Sequence, residues 1–233
     1  MAKLDRVPTD FSYSLGVEAG DFIFLSSHRG FGDNLKTHFG DAVSRLGKTL
    51  LSFDVPFTNL VQTVSRCRET KDLSETERLL QDILGKDTSP ARSGSITGFI
   101  DDNTLFSISG IACSKELKMT GIKRITTPFS YSLAVAAGDF VFLGLHRGFG
   151  DDFTTQFDNT MARLEKTLAE FDMKLEHLVK INVWLKDIQD VRVYEQLFRN
   201  YFEEGKYPAR MGSTTGFIDD DCLLMIDGIV YRG

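Results

Sequence analysis

The chain has 233 residues, 42% hydrophobic and 26% charged, with a net charge of −6. This acidic balance gives no chain-wide footprint for nucleic acid, whose affinity rests largely on Lys and Arg neutralising phosphates. No apolar run approaches the roughly 20 residues of a membrane-spanning helix. Met1-Ala2-Lys3-Leu4-Asp5-Arg6 lacks the apolar core of a secretion signal, and the three cysteines, Cys67, Cys113 and Cys222, are odd in number without a CxxC. A reduced, cytoplasmic protein without membrane contact is predicted.

The chain is a duplication. Phe11-Ser12-Tyr13-Ser14-Leu15 returns as Phe129-Ser130-Tyr131-Ser132-Leu133, and His28-Arg29-Gly30-Phe31-Gly32-Asp33 as His146-Arg147-Gly148-Phe149-Gly150-Asp151. Pro90-Ala91-Arg92 returns as Pro208-Ala209-Arg210, again displaced by 118 positions. Short-period solenoids repeat every 20–50 residues or so, so this is a doubled domain. The predicted division is repeat 1 over 1–113, a polar linker over 114–121, and repeat 2 over 122–233.

Within a repeat, residues 11–19 and 22–25 read as a hairpin around Gly20-Asp21. The glycine-rich stretch from His28 to Asp33 reads as a loop. Phe39, Val43, Leu46, Leu50 and Phe53 recur at helical spacing, and Phe157, Met161, Leu164, Leu168 and Phe171 repeat the stripe. A β-rich run follows over Leu60–Cys67 and Leu178–Leu185. A second helix is predicted over 72–84 and 191–202, ended by Pro90 or Pro208. Residues 92–99 and 105–113 read as a closing strand pair, turned at Asp101-Asp102-Asn103. The order β-β-α-β-α-β-β puts helices on one sheet face only, an α+β fold whose other face needs a partner.

These features resemble the RidA/YjgF/UK114 family, whose relatives also carry the name endoribonuclease L-PSP. The resemblance rests on the order of elements, the Tyr-Ser near the first strand and the Pro-Ala-Arg before the penultimate strand, each present twice. It implies a chorismate-mutase-like fold and a homotrimer with clefts between subunits. It also implies hydrolysis of enamines and imines such as 2-aminoacrylate to 2-keto acids and ammonia, without metal or organic cofactor. With two repeats per chain, three chains would carry six repeats, expected as two pseudo-threefold rings.

On that resemblance Arg92 and Arg210 hold the substrate carboxylate, which suits a planar guanidinium with paired donors. The alternative for each is a structural ion pair with a nearby Asp or Glu. Tyr13 and Tyr131 match the family tyrosine, which donates a hydrogen bond to substrate or water; the alternative is a half-buried strand residue. The family's last-strand glutamate falls at Ser109 in repeat 1 and Asp227 in repeat 2. A serine is a poor general base, whereas a buried aspartate can do acid–base work. Repeat 2 is therefore expected to be the reactive half, with Arg210 and Asp227 acting together, and repeat 1 a scaffold.

His28 and His146 are candidates for binding substrate, or else satisfied structural groups. Departures from the family occur at Ser26-Ser27-His28 and Gly144-Leu145-His146, and at Gly94 and Gly212, where cysteine is common. Gly30-Phe31-Gly32 is not followed by the Lys-Ser/Thr of a phosphate loop, and the aspartates at 101–102 and 219–221 lack calcium-loop spacing. A carboxylate-binding module without catalysis is the alternative function. RNA cleavage is disfavoured by the charge.

Overall fold

The computed structural model describes residues 4–85, 87–118 and 121–233. Met1–Lys3 and the 119–120 part of the predicted linker lie outside the described residues. Repeat 1 contains β1 (Asp5–Pro8), β2 (Ser14–Ala19), β3 (Phe22–Arg29), α1 (Leu35–Leu51), β4 (Leu60–Cys67), α2 (Lys71–Leu84), β5 (Ala91–Ile96) and β6 (Phe106–Cys113). A short helix, α3 (Lys115–Lys118), lies in the predicted linker. Repeat 2 contains β7 (Ile122–Thr126), β8 (Ser132–Ala137), β9 (Phe140–His146), α4 (Phe153–Ala169), β10 (Leu178–Leu185), α5 (Val191–Phe198), β11 (Ala209–Thr214) and β12 (Leu224–Tyr231). The fold is the expected α+β, with helices covering one face of each repeat's sheet.

Three local differences have physical causes. The short strands β1 and β7 carry too few residues for a clear alternation, and they form by pairing with β2 and β8. The first hairpin strand begins at Ser14, not residue 11, because the Thr9 hydroxyl donates to the Tyr13 carbonyl (2.6 Å) and folds 9–13 into a turn. Thr127 does the same to Tyr131 (2.6 Å). His28 is strand rather than loop, since β3 runs on past a bulge between Leu25 and His28.

The stripes read from the sequence form two separate cores. Phe39, Leu46 and Leu50 of α1 pack on Ile23, Phe106 and Ile108; Phe157, Met161, Leu164 and Leu168 of α4 pack on Leu143, Ile226 and Val230. Asn34 caps α1 and Asp152 caps α4, each side chain accepting from the backbone N–H three residues on. Gly148 lies so close under α4 that a Cβ there would overlap the Gln156 carbonyl. Among the described residues no helix is long and apolar enough to cross a membrane.

All twelve strands join in one sheet, β1-β2-β3-β6-β4-β5-β8-β9-β12-β10-β11, with β7 on β8. The repeats therefore meet where β5 of repeat 1 runs parallel to β8 of repeat 2, with Ala91 opposite Ser132. A third apolar cluster fills this seam: Val61, Ala91 and Cys113 from repeat 1 against Val135, Ala137 and Phe142 from repeat 2. Arg124 Nη2 also reaches across to the carbonyls of Thr58 (3.0 Å) and Leu60 (3.2 Å).

Candidate functional site

The seam brings together residues that the sequence places in different halves. Arg92, on β5, is nearly buried, and its guanidinium carbon lies 5.9 Å from the Tyr131 ring centroid. Tyr131 stacks on Phe129 (6.0 Å), and burial together with the Glu77 carboxylate pushes its phenol above the usual tyrosine range. The neighbour of Arg92, Ser93, projects from the other face of β5 and stands beside the Asp227 carboxyl of repeat 2. Gly144 makes this approach feasible, since a Cβ there would lie 2.6 Å from the Ser132 oxygen and 3.2 Å from the Arg92 nitrogen.

Asp227 is fully buried on β12. Opposite it, β9 bulges: Ile226 pairs with His146 and Gly228 with Leu143, leaving Gly144-Leu145 facing the single Asp227. Bulges of this kind re-aim side chains beside sites. Asp227 accepts from Asn182 Nδ2 (2.6 Å) and Trp184 Nε1 (2.7 Å). Burial nevertheless outweighs these donors and raises its pKa. The equivalent position in repeat 1, Ser109, receives a long hydrogen bond from Arg66 Nη1 (3.4 Å). Arg66 and Val64 stand where Trp184 and Asn182 stand, so the acid and both of its donors are replaced together.

Arg210 and Asp227 are not brought together. Arg210 pairs in register with Ile181, and Asp227 with Asn182 and, across β10, with Met211. Adjacent register positions face opposite sides of a sheet. Tyr13 lies on β2's side of the sheet, far along the strand order from β11, and is 51% exposed. In place of a reactive half and a scaffold half, the seam joins residues of both repeats: Arg92 meets Tyr131 on one face of the sheet, and Ser93 meets Asp227 on the other.

Both arginines already hold a carboxylate. Arg92 Nη2 pairs with Glu77 of α2, and Arg210 Nη2 with Glu195 of α5. Glu77 also accepts from the Ser130 N–H (3.4 Å) and hydroxyl (3.2 Å), tying α2 to repeat 2. Sequence reasoning did not single out these glutamates, although they occupy equivalent positions fifteen residues before each arginine. Repetition was the one available signal.

His28 and His146 have no unused ring nitrogen. His28 bonds Ser26 O and Thr49 Oγ1 (both 2.8 Å), and His146 bonds Gly144 O and Thr167 Oγ1 (both 2.9 Å). Each pins a strand to the long helix beneath it. Burial depresses the His146 pKa to about 4. An unfolded chain takes up this proton near 6.5, the folded chain only near 4, so the unfolded state binds more protons between them. Stability is expected to fall by about 1.4 kcal/mol per pH unit as the pH drops from 6.5 towards 4. Urea titrations at pH 7, 6 and 5 check this, and His146→Gln should flatten the slope.

In each repeat an arginine at the end of the strand and one on the long helix sandwich the phenylalanine of the adjoining loop. Arg29 and Arg45 each lie 4.8 Å from the Phe31 centroid, and Arg147 and Arg163 lie 4.8 and 5.5 Å from Phe149. Among the described residues no three His, Cys, Asp or Glu side chains cluster as metal ligands.

Residues 121–231 match the family model Endoribonuclease L-PSP. A RutC family protein of Pyrococcus abyssi is 27% identical over 110 residues, covering 44% of this chain and 86% of the relative; one from Pyrococcus horikoshii matches equally. Among solved structures, a YjgF family member from Neisseria meningitidis is 23% identical, with TM-score 0.46, covering 48% of this chain and 96% of its own. RidA from a Psychrobacter species is 25% identical, with TM-score 0.43, covering 47% of this chain and 94% of its own. Through residues 121–231 the chain belongs to the RidA/YjgF/L-PSP family, and its first half repeats the same order of elements.

Proposed function

We propose that this protein is an enamine/imine hydrolase of the RidA kind, acting on a small carboxylate-bearing imine at the seam between its repeats. The observation that carries this is the meeting of Arg92 and Tyr131 across the seam, with Asp227 beside the next residue, Ser93. Arg92 binds the substrate carboxylate through two parallel hydrogen bonds, displacing Glu77. Tyr131 orients the substrate or water through its hydroxyl. Water adds to the C=N carbon and ammonia leaves, the proton passing from the one to the other beside the Tyr131 hydroxyl, while Asp227 lies on the opposite face of the sheet with Ser93. The imine and one water become a 2-keto acid and ammonia, so atoms balance without a cofactor.

Arg210, Tyr13, His28 and His146 fall outside this assembled set. We assign the histidines a structural role, because both ring nitrogens of each are engaged. The working form is an assembly of several copies in a reduced compartment, and three chains carrying six repeats is the expected state.

The test is release of ammonia and keto acid from freshly generated 2-aminoacrylate. The wild-type chain should accelerate it, and Tyr131→Phe should lose about tenfold or more, as removal of one orienting hydrogen bond does. A wild-type rate equal to that of buffer overturns the reading. A second reading is a carboxylate-binding module without turnover. The glutamates already seated on both arginines favour it, and it predicts keto-acid binding by calorimetry with no ammonia released.

A further inference from the structure

We infer that the cleft between the two repeats at the far end of β5 binds a compact oxyanion carrying two or more charges. The cleft is open and about 440 Å³ in volume, within the range of small-molecule sites. It lies apart from the proposed catalytic residues. Arg92 stands near the start of β5, whereas Ile96, in the cleft wall, ends it, about 13 Å along the strand. Each repeat supplies equivalent positions. Arg68 and Lys186 are the first residues beyond β4 and β10, and Thr97-Gly98 and Thr215-Gly216 the first beyond β5 and β11. The junction is locked before any ligand arrives. The Ile96 N–H donates to Thr215 Oγ1 (2.8 Å), and Gly216 packs so close to the Thr70 side chain that a Cβ there would overlap it.

What distinguishes the cleft is its charge. Among the described residues it is lined by two cations and no acid, in a chain of net charge −6. Arg68 and Lys186 are held by carbonyls rather than carboxylates. Arg68 Nε donates to the Thr104 carbonyl (3.1 Å) and its Nη2 to the Asp101 carbonyl (3.0 Å), and Lys186 Nζ donates to the Asp220 carbonyl. The carboxylates of the same hairpin tips are engaged elsewhere, Asp101 by Arg29, and Asp219 and Asp221 by Arg147. Asp102 and Asp220, the other acids of the tips, do not line the cleft. Two like charges brought to one cleft repel, and an anion between them replaces that repulsion with attraction. Donors for it are present. A guanidinium has five N–H groups and an ammonium three, so most remain unspent. Thr97 adds a hydroxyl that donates to the neighbouring Gly98 carbonyl at 3.2 Å, a long bond that a charged acceptor displaces. An oxyanion held by Arg68 of repeat 1 and Lys186 of repeat 2 fastens the repeats to each other, and the folded chain gains stability by mass action.

Thermal melts of the full chain at constant ionic strength, with inorganic phosphate replacing chloride, test this, and calorimetry gives the affinity. Millimolar phosphate is expected to raise the unfolding midpoint by about 2–4 °C. Lys186→Gln should weaken phosphate binding about tenfold, as loss of one charge-assisted hydrogen bond does. Lys186→Arg keeps the charge and the donors and should bind as the native chain does. Lys36→Gln, which removes an equal charge from the exposed first turn of α1, should leave binding unchanged and so separates the cleft from net charge. Malonate, a dicarboxylate, is the second arm: binding of either anion that depends on Lys186 supports the site, and the preference between them names its source. No stabilisation by either anion, or equal weakening by Lys186→Gln and Lys36→Gln, would overturn it. These readouts involve neither turnover nor Arg92, so failure here is separate from failure of the hydrolase reading.

Discussion

Arg92→Ala should destabilise the protein by about 2–4 kcal/mol, while Arg210→Ala should cost only about 0–1 kcal/mol. The two residues are sequence equivalents with equivalent glutamate partners, so the contrast isolates burial. The Arg92 side chain is 9% exposed and Glu77 22%; Arg210 and Glu195 are 34% and 40% exposed. Removing one partner of a shielded pair strands the other charge, whereas an exposed pair is screened by water. Glu77 stranded in this way would retain only its bonds to Ser130. For a chain of this length the Arg92 effect is a fall in Tm of about 5–15 °C, readable by calorimetry. Replacing the pair together, Arg92→Met with Glu77→Leu, should restore most of the loss, because two apolar groups leave no buried charge unmet. Glu77→Gln addresses function. It removes the resident carboxylate, keeps an acceptor for Ser130, and should tighten keto-acid binding by about tenfold, the equivalent of about 1.4 kcal/mol. Unchanged affinity would mean that Arg92 is not the anion site.

The second large effect is at Asp227. Asp227→Ala leaves the Trp184 N–H and the Asn182 amide without their acceptor in a closed space, at a cost of about 2–4 kcal/mol. Asp227→Asn keeps an acceptor for Trp184, and the Asn182 amide can turn to accept from the new NH₂. Its effect should therefore depend on pH. The folded-state pKa of Asp227 is raised above the ordinary carboxylate value of 3.8. The folded chain then keeps a proton that the unfolded chain releases, so stability drains away as pH rises from about 3.8 through the folded value. Asparagine carries no such proton. Asp227→Asn should gain stability relative to wild type between pH 4 and pH 8. Denaturant melts of both proteins at the two pH values decide it: an equal difference at both would show Asp227 ionised throughout. The opposing pH dependence of His146 is common to both chains and cancels in the comparison.

The elements of each repeat were legible because they rest on local physics. The stripe from Phe39 to Leu50 is a helix face wherever it packs, and its recurrence from Phe157 to Leu168 ruled out coincidence. The strands over 60–67 and 178–185 were read to the residue, since a dense β-branched run allows little else. Strands β1 and β7 escaped, being short and held by their partners rather than by their own pattern. At the site, the arginines, tyrosines and the Ser109/Asp227 difference were visible as repeated or unrepeated residues. Glu77, Glu195, Asn182 and Trp184 were not, because nothing in a linear pattern says which carboxylate or indole will face a given side chain.

Taken alone, the sequence determined that this protein is a doubled α+β domain with two helical cores, two Pro-Ala-Arg arginines and one buried-acid candidate. Periodicity and duplication are properties of the chain itself. Only the tertiary structure decided which residues act together. It placed β5 against β8, and so joined Arg92 to Tyr131 and Ser93 to Asp227, while setting Arg210 and Asp227 on opposite faces of one sheet. The physical reason is that a seam is made by edge pairing and apolar burial between distant segments. Strand order across it is encoded in no single stretch of sequence.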